Sequence, residues 1–128
     1  LNITPGSDPA DPYQYDYWDH VDYGIDQAAK IGLYVGLLPT WGDKVAYLWG
    51  DGPMIFNEKN AEAYGELLAT RYKNRWNIIW VLGGDRPAVY KSRTSDDKQV
   101  DDRPVWRAMA RGIEKVLGTG AFITYHPS

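Results

Sequence analysis

Apolar and polar residues along this chain switch repeatedly between two periods, and each switch marks an element. Trp18, Val21, Ile25 and Ala28 recur at helical spacing, with Asp16 placed to cap the helix. Gly32 stands where a left-handed residue ends such a helix. Leu33 to Leu38 is a short apolar run of β-compatible residues and predicts a buried strand, stopped by Pro39. A long loop follows, with a turn cluster at Trp49-Gly50-Asp51-Gly52-Pro53. Asn57 or Asn60 then caps a second helix, whose apolar face is Ala61, Tyr64, Leu68 and Tyr72. Ile78 to Leu82 is a second apolar strand. Residues 87–102 are polar and read as irregular. A third helix opens near Asp102 with Pro104 in its first turn and carries Val105, Met109, Ile113 and Val116 as its stripe. Gly118 and Gly120 end it, and Phe122 to Tyr125 is the last strand. Residues 1–15, rich in Pro, Asp and Gly, read as an N-terminal loop.

Strand and helix alternate throughout, and successive strands start about 40–45 residues apart. That spacing implies right-handed crossovers and a parallel sheet. An open nucleotide-binding sheet would carry a phosphate loop of the GxGxxG or P-loop type. Gly83-Gly84 fits neither, and the acid that follows would repel phosphate. A (β/α)8 barrel instead gathers polar groups at the C-terminal ends of several strands. All three strands here end in such groups: Trp41 and Asp43, then Asp85 and Arg86, then Tyr125 and His126. The pattern favours a partial (β/α)8 TIM barrel of three β/α units, read as one incomplete domain over residues 1–128. A full barrel takes ~250 residues. A chain of 128 beginning at Leu1 is therefore expected to be a slice, one that needs the rest of the barrel or self-associates through its bare strand edges.

Composition narrows the chemistry. Net charge is −3 with the signs interspersed, so no basic patch invites nucleic acid. No segment approaches the ~20 apolar residues of a membrane span. Without cysteine there is no disulfide and no thiolate metal site. Two distant histidines lack zinc spacing, and Asp96-Asp97 and Asp101-Asp102 lack a calcium-loop pattern, so neither metal nor any other cofactor is expected. No serine stands in a GxSxG elbow. Six Trp and ten Tyr are many for this length. Most should fill the core, but exposed rings of this kind stack on sugar faces.

The sharpest local signal is Trp80-Val81-Leu82-Gly83-Gly84-Asp85-Arg86. A buried strand cannot run into Asp-Arg inside a core, so the chain must leave the core there and present Asp85 at the strand's C-terminal end. Two roles for Asp85 stay open on the residues alone: a catalytic carboxyl, or a loop cap paired with Arg86. Strand alternation predicts that Asp85 and Arg86 point to different sides. Trp41 is either a stacking platform or a wedge between loops. Asp43 either binds sugar hydroxyls or caps a turn. Tyr125 and His126 are placed to touch a substrate, though a lone His is often structural.

The runs YWDHVDYGIDQAAKIGLYVGLLPTWGDKV, NIIWVLGGDR and FITYHPS together resemble the apiosidase-like glycoside hydrolases, family 140 of the carbohydrate-active enzymes. The resemblance covers nearly everything from Tyr17 onward and rests on WGD, LGGDR and TYHP at three successive strand ends. It implies a barrel hydrolase acting on plant cell-wall glycans, secreted, periplasmic or displayed at the cell surface. It implies that Asp85 is the catalytic acid/base and that the strands are the third to fifth of the barrel. The family's nucleophile is a Glu on the seventh strand, which this sequence lacks, so the isolated chain is expected to be inactive. Glycoside cleavage needs two carboxyls, one to protonate the departing oxygen and one to attack the anomeric carbon or activate water. The rival readings are a non-catalytic glycan-binding module, with Asp85 purely structural, and an inert truncated barrel.

Overall fold

The computed structural model describes residues 13, 15, 17–50, 52–92 and 98–127. Most of the expected N-terminal loop, the Asp16 cap and the Asp96-Asp97 pair lie outside them. The described residues form two compact units. One holds the residues up to Val35 together with Arg75–Ile78; the other holds Gly36–Asn74 and everything from Ile79 onward.

The first unit is built on α1 (Tyr17–Lys30), which buries Trp18 and Ile25. Gly32 follows it at φ 77°, the left-handed state expected of it. Asn77, fully buried, fixes the segment after α1: its amide nitrogen donates to the carbonyls of Ile25 (3.0 Å) and Leu33 (3.2 Å), and its own carbonyl accepts from Val35 N–H (2.7 Å). Arg75 grips Asp26 with two nitrogens, at 2.9 and 3.2 Å.

The second unit carries the sheet. Strand β1 (Val35–Leu37) enters it, and β2 (Ile78–Leu82) lies between β1 and the last strand, β5 (Ile123–Tyr125), all parallel. The register pairs Trp80 with Ile123 and Leu82 with Tyr125, so β2 and β5 end side by side. Helix α2 (Glu58–Tyr72) connects β1 to β2, and α3 (Arg103–Leu117) precedes β5. The expected three β/α units are present, with boundaries close to those read from the pattern. Asn57 is the cap of α2: its side chain accepts from Lys59 and Asn60 N–H, while Asn60 Oδ1 accepts from Asn57 N–H in return. No helix among the described residues is long and apolar enough to cross a membrane.

Two expectations need correction. The strand expected over Leu33–Leu38 is only three residues long and is not buried: Leu33, Tyr34 and Leu38 are exposed and Val35 and Leu37 half-buried. An outer strand of a three-stranded sheet has one neighbour, which leaves its apolar run uncovered. The segment read as irregular contains an antiparallel pair, β3 (Val89–Lys91) and β4 (Gln99–Asp101), in register Tyr90 with Val100. Each strand is too short to stand out as a period-2 pattern.

Helices α2 and α3 cross at Gly65 and Gly112, where backbone meets backbone. A Cβ on Gly112 would fall on the Glu62 carbonyl and within 2.8 Å of Glu66 N; one on Gly65 would fall on the Met109 carbonyl. Glycine normally costs a helix interior about 1 kcal/mol relative to alanine. Here Gly112→Ala is expected to lower stability instead, by about 1–3 kcal/mol, because neither backbone can yield. Thermal unfolding should show a drop of roughly 4–12 °C; a rise would mean the helices separate freely.

Candidate active site

Three loops, one from the end of each parallel strand, meet in the second unit. Glycine makes the meeting possible. After Leu82, Gly83 (φ 95°) and Gly84 (φ 51°) turn through left-handed backbone. A Cβ on Gly83 would strike the His126 carbonyl and the Tyr125 ring; one on Gly84 would lie 2.9 Å from Thr40 O and Trp41 C. Gly42 N–H donates to Gly84 O (2.9 Å), and His126 N–H donates to Leu82 O (2.8 Å), tying the β2 exit to the β1 loop on one side and to the end of β5 on the other.

Asp85 continues the left-handed run at φ 63°, the one described non-glycine residue with positive φ. Such backbone costs of order 1–3 kcal/mol and persists where surroundings impose it, commonly at functional sites. Its side chain is 41% exposed, so the carboxylate reaches the surface at the C-terminal end of the central strand.

Arg86 runs into the protein beneath Asp85 and comes within ion-pair distance of its carboxylate. The Arg86 side chain is 1% exposed. Nη1 donates to the Asp85 carbonyl (2.6 Å) and lies 3.7 Å from Asp85 Oδ2. Nη2 donates to the Trp49 carbonyl (2.6 Å), and the guanidinium lies over the Trp49 ring, 4.3 Å from its centroid. The Arg86 carbonyl accepts from Tyr125 Oη (2.8 Å). One residue thus bonds to the β1 loop, the β2 loop and β5. Arg86 is therefore not on the substrate rim as expected: it is buried and bonded inward. The strand-alternation argument fails because β2 ends at Leu82 and three left-handed residues intervene, so Arg86 lies beneath the carboxylate it was expected to avoid.

Asp43 is also turned inward. It sits in a short 3-10 helix (Gly42–Lys44), 6% exposed, and Oδ2 accepts from Gly52 N–H (3.1 Å) and Lys44 Nζ (3.2 Å). It braces the turn at Gly52, the second of the two roles the sequence left open for it. Trp41, at the N-terminus of that 3-10 helix, is 50% exposed, and His126 is exposed beyond β5. Tyr125 is half-buried, its ring edge-on to Trp106. Burial, with the nearby Asp102 charge, pushes its hydroxyl up to about 12, so it stays a neutral donor. No cluster of three or more His, Asp or Glu able to hold a metal ion is found among the described residues.

The profile of the Apiosidase-like catalytic domain matches residues 2–128. The chain belongs to that family. Two solved structures are similar, each at 36% identity, a TM-score of 0.72 and 98% coverage of this chain. One is a glycoside hydrolase family 5 protein from Bacteroides vulgatus ATCC 8482 and the other a glycoside hydrolase. The chain spans about a quarter of each, 24% and 25% respectively. No curated protein matches it.

Within this apiosidase-like domain, sequence reading passed over Trp49 and the pair Tyr90–Asp102. Tyr90 hydrogen-bonds the Asp102 carboxylate, and burial with that contact pushes its hydroxyl up to about 12; burial likewise raises Asp102. The pair joins β3 to the start of α3 and has no sequence signature. Trp49 had one: a large ring among Gly, Asp and Pro in a turn has little core to enter.

Proposed function

We propose that this domain is the acid/base-bearing part of a glycoside hydrolase acting on plant cell-wall glycans, and that Asp85 is its proton donor. One observation carries the reading. The Asp85 carboxyl reaches solvent from a strained position at the end of the central parallel strand, while its neighbours Asp43 and Arg86 are buried. As the glycosidic bond breaks, the acid gives its proton to the departing oxygen; as water attacks, the carboxylate takes a proton back. Trp41 offers a face for a sugar ring, and His126 stands exposed at the neighbouring strand end for its hydroxyls, while Tyr125, whose hydroxyl donates to the Arg86 carbonyl, holds that end in place. A polymeric cell-wall substrate would place the enzyme outside the cytoplasm.

The second carboxyl would come from the rest of the barrel, so the 128 residues alone are expected to be inactive. A hollow of about 320 Å³ between α3 and the ends of β2 and β5, lined by Leu82, Ala88, Trp106, Ala110 and Tyr125 with Arg103 and Arg107 among them, supports a role for further chain or a second copy on this side. The test is release of reducing sugar from a panel of plant cell-wall glycans, apiose-bearing pectin included. Hydrolysis is expected from the longer protein that contains this domain and not from the 128 residues. Binding without release by the longer protein would leave a glycan-binding module.

A further inference from the structure

We propose that Trp49 is a second sugar platform, pre-set against the proton donor by Arg86; the proposal rests on the reading of Asp85 as the acid. The β1 loop exposes three rings, Trp41 (50%), Tyr47 (54%) and Trp49 (45%). Trp49 differs from the other two in how it is held. The buried guanidinium of Arg86 lies over the ring at 4.3 Å, and its Nη2 holds the carbonyl of the same residue at 2.6 Å. Clamped at backbone and ring, Trp49 still exposes nearly half its surface. A ring fixed in advance loses little conformational freedom when a sugar stacks on it.

The same guanidinium donates to the Asp85 carbonyl. One planar group therefore contacts both the platform, at 4.3 Å from the ring centroid, and the residue that carries the acid, with Nη1 3.7 Å from its carboxylate. The ligand is a sugar ring of the glycan chain adjacent to the bond that Asp85 protonates. The apolar C–H face of that sugar lies on the indole. Around the platform, Asp43 and Lys44 hold Gly52 and so fix the turn that follows Trp49.

The experiment uses the longer protein carrying Asp85→Asn, so that glycan binds without turnover. Oligosaccharides cut from apiose-bearing pectin are titrated by calorimetry into this protein and into versions that also carry Trp49→Phe or Trp49→Met. Both replacements cover the guanidinium with apolar surface, but only Phe offers a flat face. Trp49→Met is expected to weaken binding about fivefold to tenfold, with Trp49→Phe close to the parent and melting temperatures similar. Equal affinity for the Trp and Met forms, equal weakening by Phe and Met, or no binding by the parent would overturn the platform. Hydrolysis by the unsubstituted protein is measured alongside. Hydrolysis with no effect of Trp49→Met rejects the platform alone, whereas the Met-specific loss of binding without any hydrolysis rejects the enzymatic reading alone.

Discussion

Asp85→Asn in the longer protein is expected, on the proposed reading of Asp85 as the acid, to cut turnover of natural glycans by roughly 10²–10⁴-fold, the usual contribution of a positioned general acid. The substitution keeps the backbone but also removes the negative charge 3.7 Å from the buried Arg86 Nη1. Asparagine matches aspartate in shape and is among the few side chains that tolerate φ near 63°. The Asp85 backbone carbonyl still accepts from Arg86. What disappears is the transferable proton, and with it the ion pair to Arg86. The deficit should therefore depend on the leaving group. An alkoxide departing from a sugar chain needs protonation, whereas a nitrophenolate does not, so aryl glycosides should lose far less than polysaccharide in the bond-breaking step. Oligosaccharide affinity should hold within about twofold, since the isostere leaves contacts unchanged. Equal losses on both kinds of substrate would assign Asp85 a structural role, and unchanged turnover would remove it from the chemistry.

How much of this was legible in the sequence follows from where local chemistry suffices. Ile78–Leu82 was readable because an apolar run stops at two glycines, and the observed strand has those bounds. Gly32, Asn57 and Pro104 punctuate as their backbone preferences require. The three-unit parallel order follows from alternation and connection length. Side-chain direction after a strand was not readable. Gly83 and Gly84 announce a turn, but nothing in the residue type announces that Asp85 extends the left-handed run, and that third residue sends Arg86 inward. Asp43 was ambiguous for a similar reason: an aspartate beside a glycine reads the same whether its oxygens face solvent or a turn nine residues on. Gly65 and Gly112 were visible as glycines inside helical stripes. Two of them on facing helices signal close backbone approach, an inference that needs knowledge of which helices face.

Arg86 should prove the most sensitive position for stability and a sensitive one for turnover. Its guanidinium donates to two carbonyls on different loops and lies on an indole, an arrangement that needs a planar fork. Arg86→Ala removes two charge-assisted hydrogen bonds and leaves both carbonyls without their donor over a cavity. A loss of about 3–5 kcal/mol is expected, reduced to the extent that releasing a buried cation is favourable. Arg86→Lys separates positioning from folding. An ammonium keeps the charge but is a point donor that cannot hold Asp85 and Trp49 together, so the Asp85 loop should shift. A displacement near 1 Å can cost about 10²-fold in rate. The guanidinium is buried and touches no sugar itself, so displacement of the acid should lower kcat, while release of the Trp49 ring should raise KM by no more than Trp49→Met does. Thermal melting and steady-state kinetics on Arg86→Ala and Arg86→Lys check both parts. If Arg86→Lys turns over like the parent, the fork is not what positions the acid. If it loses affinity while keeping kcat, Arg86 holds the Trp49 ring but does not position the acid.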